Sequence, residues 1–383
     1  MAPFRPLMLR SLSPRWAPAV PCPPMRSTTV SRTAPAIVAS MLVATALTAA
    51  EPPAAEPLAD LLSAFPQSEQ RRRQLKNYLA RFPEADTNRD GSLSPVEQMV
   101  HRARQTRDRE LAAIADRVQF TPDIEYLQVN GESLKLDLYL PRSNVKPLVE
   151  REPQSRRQAS SLKPPLIIWY HGGGWMAGTK DICRVIWLAG EGYAVASVQY
   201  RLAPRTHVPI LVDDCRAAIL WLRSHAAEYG YDADRIGVAG ESAGGHLASL
   251  LGTTGDGDTR VQAVLNIYGP GDMFAWLEGY NPQLATLLFG DNLEASRSRA
   301  EQVSPIRFVS GDDPPLLIVH GALDAGVPIE LSRQLKAAYD RAGVPAELHV
   351  IEDAAHGGPK FTDPERRQLI QAFFERHLRL GPK

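Results

Sequence analysis

The chain predicts an α/β fold, a mostly parallel central sheet flanked by helices, preceded by a small helical segment. Three observations predict it. Apolar runs of strand length at 166–170, 193–198, 236–240, 261–268 and 316–319 alternate with helix-length segments, the pattern of parallel strands joined by crossover helices. Each residue best suited to chemistry lies in a short loop just after a strand-like segment, where a rigid sheet holds catalytic groups. The part from Phe120 onward, about 260 residues, is a usual size for one large α/β domain. Lys plus Arg and Asp plus Glu each number 43 in 383 residues, a formal net charge of zero. That balance argues against nucleic acid or an anionic membrane as the main partner.

Residues 1–50 read as a targeting segment. Residues 34–50 are small and apolar, Arg26 and Arg32 precede them, and Thr48-Ala49-Ala50 offers small residues for cleavage. We expect a signal peptide, with Met25 as an alternative start, and an exported protein. After its removal no run approaches membrane-span length.

Residues 51–119 form a helical EF-hand-like segment. From Asp86 to Glu97 the chain matches the calcium-loop template D-x-[DN]-x-[DN]-G-x5-E without a gap. Oxygen ligands would come from Asp86, Asn88, Asp90, the Ser92 carbonyl, Ser94 through a water, and a bidentate Glu97. Gly91 makes the tight turn and Leu93 packs inward. Leu75, Tyr78, Leu79 and Phe82 give the first helix its apolar face. Ser94-Pro95-Val96-Glu97 reads as a capping box with Pro at the first helical position. Calcium is thus an expected ligand, needed for no chemical step, because the helical stretch 96–118 separates the loop from the residues described next. The bland alternative is an Asp/Asn-rich loop without metal.

Residues 120–383 form the main domain. Residues 124–129, the turn Asn130-Gly131, and 134–140 read as a hairpin. Leu134, Leu136, Leu138 and Leu140 alternate with polar residues as on a half-buried edge strand. Residues 143–165 are polar and basic, a surface loop. Cys22 leaves with the signal. Cys183 and Cys215 sit among apolar neighbours in expected helical segments and read as buried free thiols.

Gly240-Glu241-Ser242-Ala243-Gly244 fits the G-x-S-x-G elbow. The serine must take a strained backbone at a sharp strand-to-helix turn, and the flanking glycines leave room for it. A serine hydroxyl needs a base, and the base needs an acid to orient it. His356, in a small-residue loop after 346–351, is the candidate base. Asp324, just beyond 316–319, is the candidate acid. Asp312 and Asp313 precede their strand and lie at the wrong end of the sheet. Asp353 is close to His356 in sequence and is the remaining competitor. After strand 166–170 comes His171-Gly172-Gly173-Gly174-Trp175. The N–H groups of Gly173, Gly174 and Ala243 are the candidate oxyanion donors. Phe274, Trp276, Tyr280 and Phe289 are either pocket walls or ordinary core, and Trp175 is a candidate floor.

These segments, with Tyr200-Arg201-Leu202-Ala203-Pro204, Asp214-Cys215, Trp221-Leu222, Gly245-His246-Leu247-Ala248 and Val327-Pro328, resemble the hormone-sensitive-lipase-like carboxylesterases of the alpha/beta-hydrolases. Within that group the resemblance is greatest to the bacterial feruloyl/acetyl esterase branch. It covers about 124–380. Glu241 departs from the Asp that many members carry. The resemblance implies ester hydrolysis without a cofactor, through a Ser242, Asp324, His356 triad and the three N–H donors. It also implies small or polysaccharide-linked ester substrates. Two other readings stand beside it: a prolyl-oligopeptidase-like serine peptidase, against which the His-Gly-Gly-Gly segment counts, and a non-catalytic calcium-binding protein on a hydrolase scaffold.

Overall fold

Two apolar layers sandwich an eight-stranded sheet, and the alternation of side chains along each central strand feeds both. The structure, a computed structural model, describes residues 69–142, 163–278, 282–290 and 292–379. The expected signal peptide, most of the expected polar loop, and Tyr280 lie outside these residues.

The strands are β1 (Val118–Val129), β2 (Glu132–Pro141), β3 (Pro165–Tyr170), β4 (Ala194–Val198), β5 (Asp232–Glu241), β6 (Ala263–Ile267), β7 (Leu316–Gly321) and β8 (Ala346–Ile351), in the spatial order β1-β2-β4-β3-β5-β6-β7-β8. From β4 to β8 the pairs are parallel, and β1–β2 and β2–β4 are antiparallel. In β3, Leu166, Ile168 and Tyr170 join one cluster while Ile167 and Trp169 join the other, as a period of two on a sheet covered on both faces requires. Helices α3 (Val208–Ser224), α4 (Ala243–Thr254) and α8 (Ile329–Ala342) supply residues to the first face. Helix α9 (Pro364–Phe374) supplies Phe373 and Phe374 to the second. Between β6 and β7 lie α5 (Met273–Glu278), α6 (Pro282–Phe289) and α7 (Leu293–Gln302). Among the described residues no helix is long and apolar enough to cross a membrane.

The hairpin forms around Asn130 and Gly131, which take positive φ of 53° and 79°, the backbone such a two-residue turn demands. The edge-strand expectation is corrected. β1 is the edge, and β2 lies between β1 and β4. Its second face is buried too, because Asp137 and Tyr139 are as inaccessible as the leucines. The helical expectation at Cys183 is also corrected: it lies in a loop before a short 3-10 turn, Ile186–Glu191. Cys215 is on α3, and both thiols are free and buried. Burial pushes the Cys183 thiol up and the Cys215 thiol well up.

Ahead of the sheet, α1 (Glu69–Arg81) and α2 (Pro95–Ala112) flank the loop. Leu75, Ala85 and Leu93 form a small core with Tyr78, Leu79 and Phe82. Ser94 caps α2 in a capping box with Glu97.

Candidate active site

Ser242 lies between the end of β5 and the start of α4 with φ 53° and ψ −118°, a backbone that costs a non-glycine residue about 1–3 kcal/mol. The surroundings hold it there. Its N–H donates to Ile267 O at 2.8 Å, and its carbonyl accepts from His246 N at 3.0 Å. The glycines two residues away allow the crossing of helix on strand. A Cβ on Gly244 would lie 1.9 Å from Tyr170 O, and one on Gly240 would lie 2.3 Å from the Gly244 carbonyl.

The structure brings the three separated residues into one relay. Ser242 Oγ is 2.9 Å from His356 Nε2, and His356 Nδ1 is 2.7 Å from Asp324 Oδ2. Asp324 Oδ1 accepts from Gly326 N and Val327 N, each at 2.8 Å, so the carboxylate is fixed before it meets the imidazole. His320 Nε2 stands 3.2 Å from Oδ2, and His320 Nδ1 is 2.7 Å from Ser332 Oγ. Burial pushes the Asp324 carboxyl up, but the hydrogen bonds from His320, His356 and Val327 outweigh burial and hold it well below the usual carboxylate range. Among the competitors, Asp353 is exposed and pairs with Lys360. Asp312 pairs with Arg260, and Asp313 accepts from Ser310 at the far end of β7.

Gly173 and Gly174 follow β3 with φ 121° and 60°, and Ala243 opens α4. No protein acceptor engages the N–H groups of Gly173, Gly174 or Ala243 among the described residues. A Cβ on Gly174 would meet nothing within 4 Å, so that face of the turn is open. The Ala243 N–H belongs to the first turn of a helix, whose positive end favours developing negative charge.

Two histidines near the site are not bases. Burial pushes His171 down to about 4, and it lies flat on Tyr200 with ring centroids 4.3 Å apart. Burial likewise pushes His246 down to about 4; it accepts from Trp175 Nε1 at 3.2 Å and donates to Val303 O at 2.7 Å. Trp175 is thus a buried wedge between His246 and Trp276. Trp276 and Phe289 are core residues, and Phe274 packs against the same core.

Sequence reasoning missed a second chain of contacts. Tyr268 Oη donates to Glu241 Oε2 at 2.5 Å, and Arg184 Nε reaches the same carboxylate at 3.2 Å. The Tyr268 ring stands edge-on to His356 with centroids 4.8 Å apart. The one available signal was Glu241 itself, a charged residue inside an otherwise apolar strand end.

In the calcium-template loop, Asp86 accepts from Asp90 N and Gly91 N, and Asp90 accepts from Ser92 N and Oγ. Asn88 Oδ1 accepts from Asp90 N at 3.0 Å. Glu97 Oε1 accepts from Thr87 and Asn88, and Oε2 from Ser94. As placed, no three His, Cys, Asp or Glu among the described residues gather closely enough to hold a metal ion. Both Glu97 oxygens are instead engaged by the loop and by the N-terminus of α2.

The BD-FAE family model matches residues 155–339. Esterase LipC of Mycobacterium tuberculosis is 34% identical over 46% of this chain and 49% of its own length. The chain spans about half the length of the curated relatives it first matches. A carbohydrate esterase from gut microbiota, solved in truncated form, is 28% identical with a TM-score of 0.55, covering 67% of this chain and 95% of that one. The acetyl ester-xyloside bifunctional hydrolase of Caldicellulosiruptor lactoaceticus is 25% identical with a TM-score of 0.53, covering 67% and 96%.

Proposed function

On this α/β-hydrolase fold, we propose that the chain is a serine carboxylesterase working through an acyl-enzyme. The observation that carries the reading is the unbroken relay from Ser242 Oγ through His356 to Asp324, under a strained serine backbone. His356 Nε2 takes the Oγ proton as Oγ bonds to the ester carbonyl carbon. The carbonyl oxygen gains the negative charge, met by the N–H groups of Gly173, Gly174 and Ala243. The charge returns, the ester C–O bond breaks, and His356 gives its proton to the leaving alkoxide. Water then repeats the cycle on the acyl-serine. Asp324, held ionised, keeps the Nδ1 proton in place throughout. The similarity to esterases and carbohydrate esterases supports acetyl or feruloyl esters on polysaccharide as substrates, and residues 1–50 support export. The test is a panel of p-nitrophenyl acetate, butyrate and octanoate, methyl ferulate, acetylated xylan and a peptide anilide, with a fluorophosphonate probe. Ester cleavage with Ser242 labelled is expected. Cleavage of the anilide alone would favour the peptidase reading, and no turnover at all the non-catalytic one.

The loop from Asp86 to Glu97 is proposed as a weak calcium site. The supporting observation is its helix–loop–helix frame, with Leu93 turned inward and Gly91 at φ 81°. Asp86, Asn88, Asp90, the Ser92 carbonyl and Glu97 would hold the ion, once Glu97 exchanged its Thr87 and Asn88 contacts for it. A lone extracellular loop of this kind binds with Kd of ~10⁻⁴–10⁻³ M.

A further inference from the structure

The helical segment takes no part in the relay, yet α2 is fastened to the loop that carries Gly173 and Gly174. Arg104 Nε donates to Asp181 Oδ2 at 3.1 Å, and Arg107 Nη1 donates to Asp181 Oδ1. Arg107 Nη1 also stands 3.7 Å from Asp137 Oδ2, a buried oxygen with no hydrogen-bond partner among the described residues. The Asp181 and Asp137 side chains are only 3% and 0% exposed, so both carboxylates depend on nearby positive charge. Lys180 supplies the rest, with Nζ 2.6 Å from Asp137 Oδ1 and 3.0 Å from Asp123 Oδ1.

Between Asp181 and the glycines the loop has no slack. Thr179 Oγ1 donates to Asp181 Oδ2 at 3.1 Å. Gly178, at φ +110°, passes so close to His171 that a Cβ would lie 2.2 Å from its Nδ1. A Cβ on Gly173 would lie 2.1 Å from Ala177 O, and Ala177 N donates to Gly173 O at 3.0 Å. Backbone packed on backbone does not deform smoothly, so a displacement at Asp181 reaches the N–H groups of Gly173 and Gly174.

We propose that Arg104 and Arg107 are positioning residues for the oxyanion hole: through Asp181 the helical segment sets the aim of the Gly173 and Gly174 N–H groups. This rests on the reading of those glycines as oxyanion donors. Such donors work because they are aimed before charge develops, and a misplacement of about 1 Å can cost ~10²-fold in rate.

The test compares the full chain with its Arg104→Met/Arg107→Met variant. Three quantities are read on p-nitrophenyl acetate turnover: kcat, KM, and inhibition by two compounds of matched shape. One is a trifluoromethyl ketone, which adds to Ser242 and leaves a charged oxygen in the hole. The other is the corresponding amide, which develops no charge. The expected result is a kcat roughly 10–100-fold lower with KM within about twofold. The ketone should weaken by a similar factor and the amide should not. Arg107→Lys should recover part of the loss. If the double variant does not fold by circular dichroism, Asp181→Asn, which keeps the shape and removes the charge, should show the same pattern. A folded variant with wild-type kcat and ketone affinity overturns the proposal, as does equal weakening of ketone and amide. A wild type that cleaves no ester and takes no fluorophosphonate at Ser242 overturns the underlying reading, and this one with it.

Discussion

Asp324→Asn tests the relay at the point where its chemistry is most constrained. The replacement keeps shape and keeps Oδ1 for the N–H groups of Gly326 and Val327, each 2.8 Å away. The second atom becomes an amide nitrogen facing His356 Nδ1 across 2.7 Å. An amide N–H can only donate there, so the imidazole proton moves to Nε2, which faces Ser242 Oγ at 2.9 Å. Nε2 then has no lone pair for the serine proton. Loss of the working tautomer in a triad costs roughly 10⁴-fold in kcat, or about 5.4 kcal/mol at ~1.36 kcal/mol per tenfold. Stability should respond with a defined sign. The folded carboxyl lies below its ordinary value, so its contribution is complete above the usual Asp range and is lost as pH falls through the folded value. The difference in Tm between wild type and variant should therefore be full at neutral pH and close in strong acid. The assay is p-nitrophenyl acetate turnover on protein whose fold is checked by circular dichroism. A kcat within tenfold of wild type, with Asp353→Asn the damaging change, would refute the assignment.

Ser242→Ala should fold normally, lose fluorophosphonate labelling, and lower kcat by several orders of magnitude, with the residue left by binding and the oxyanion hole; labelling at another serine would contradict it. Gly244→Ala places a methyl 1.9 Å from Tyr170 O and 2.7 Å from His171 O, both backbone atoms that cannot step aside. It should yield little folded protein on expression, and a wild-type Tm would show that the elbow is looser than described. Tyr268→Phe removes the hydroxyl that bonds Glu241 but keeps the ring against His356; kcat should fall by about tenfold or less, against a larger loss for Tyr268→Ala. If the two variants match, the ring contact contributes nothing. Calcium should bind one site per chain by calorimetry, weaken sharply with Glu97→Gln, and raise Tm by mass action with little change in kcat. No heat at millimolar ion would remove that reading.

The elbow was legible because its physics is local. A strained serine needs glycines at fixed offsets, and the clash distances at Gly240 and Gly244 show why. Asp324 and His356 were legible because each follows a strand-like segment by a few residues, and parallel strands deliver such loops to one edge of the sheet. Glu97 was legible by pattern alone. The same residue satisfies a capping box and a calcium template, and only geometry shows which partners its oxygens hold.

The misreading of β2 has a definite cause. Alternation counted by polarity alone puts Asp137 on a solvent face between buried leucines. In the fold Asp137 is fully buried, because Lys180 and Arg107 meet it from segments about 40 residues later and 30 residues earlier. An ion pair withdrawn from water has the sequence signature of a wet surface. Its partners lie beyond any helical or strand period, so no local pattern could pair them. The error and the anchoring of α2 meet at one residue: Asp137, the charge that makes β2 read as an edge, joins Arg107 at 3.7 Å and Lys180 at 2.6 Å, in the same ionic cluster through which Arg104 and Arg107 hold Asp181 in the loop after β3.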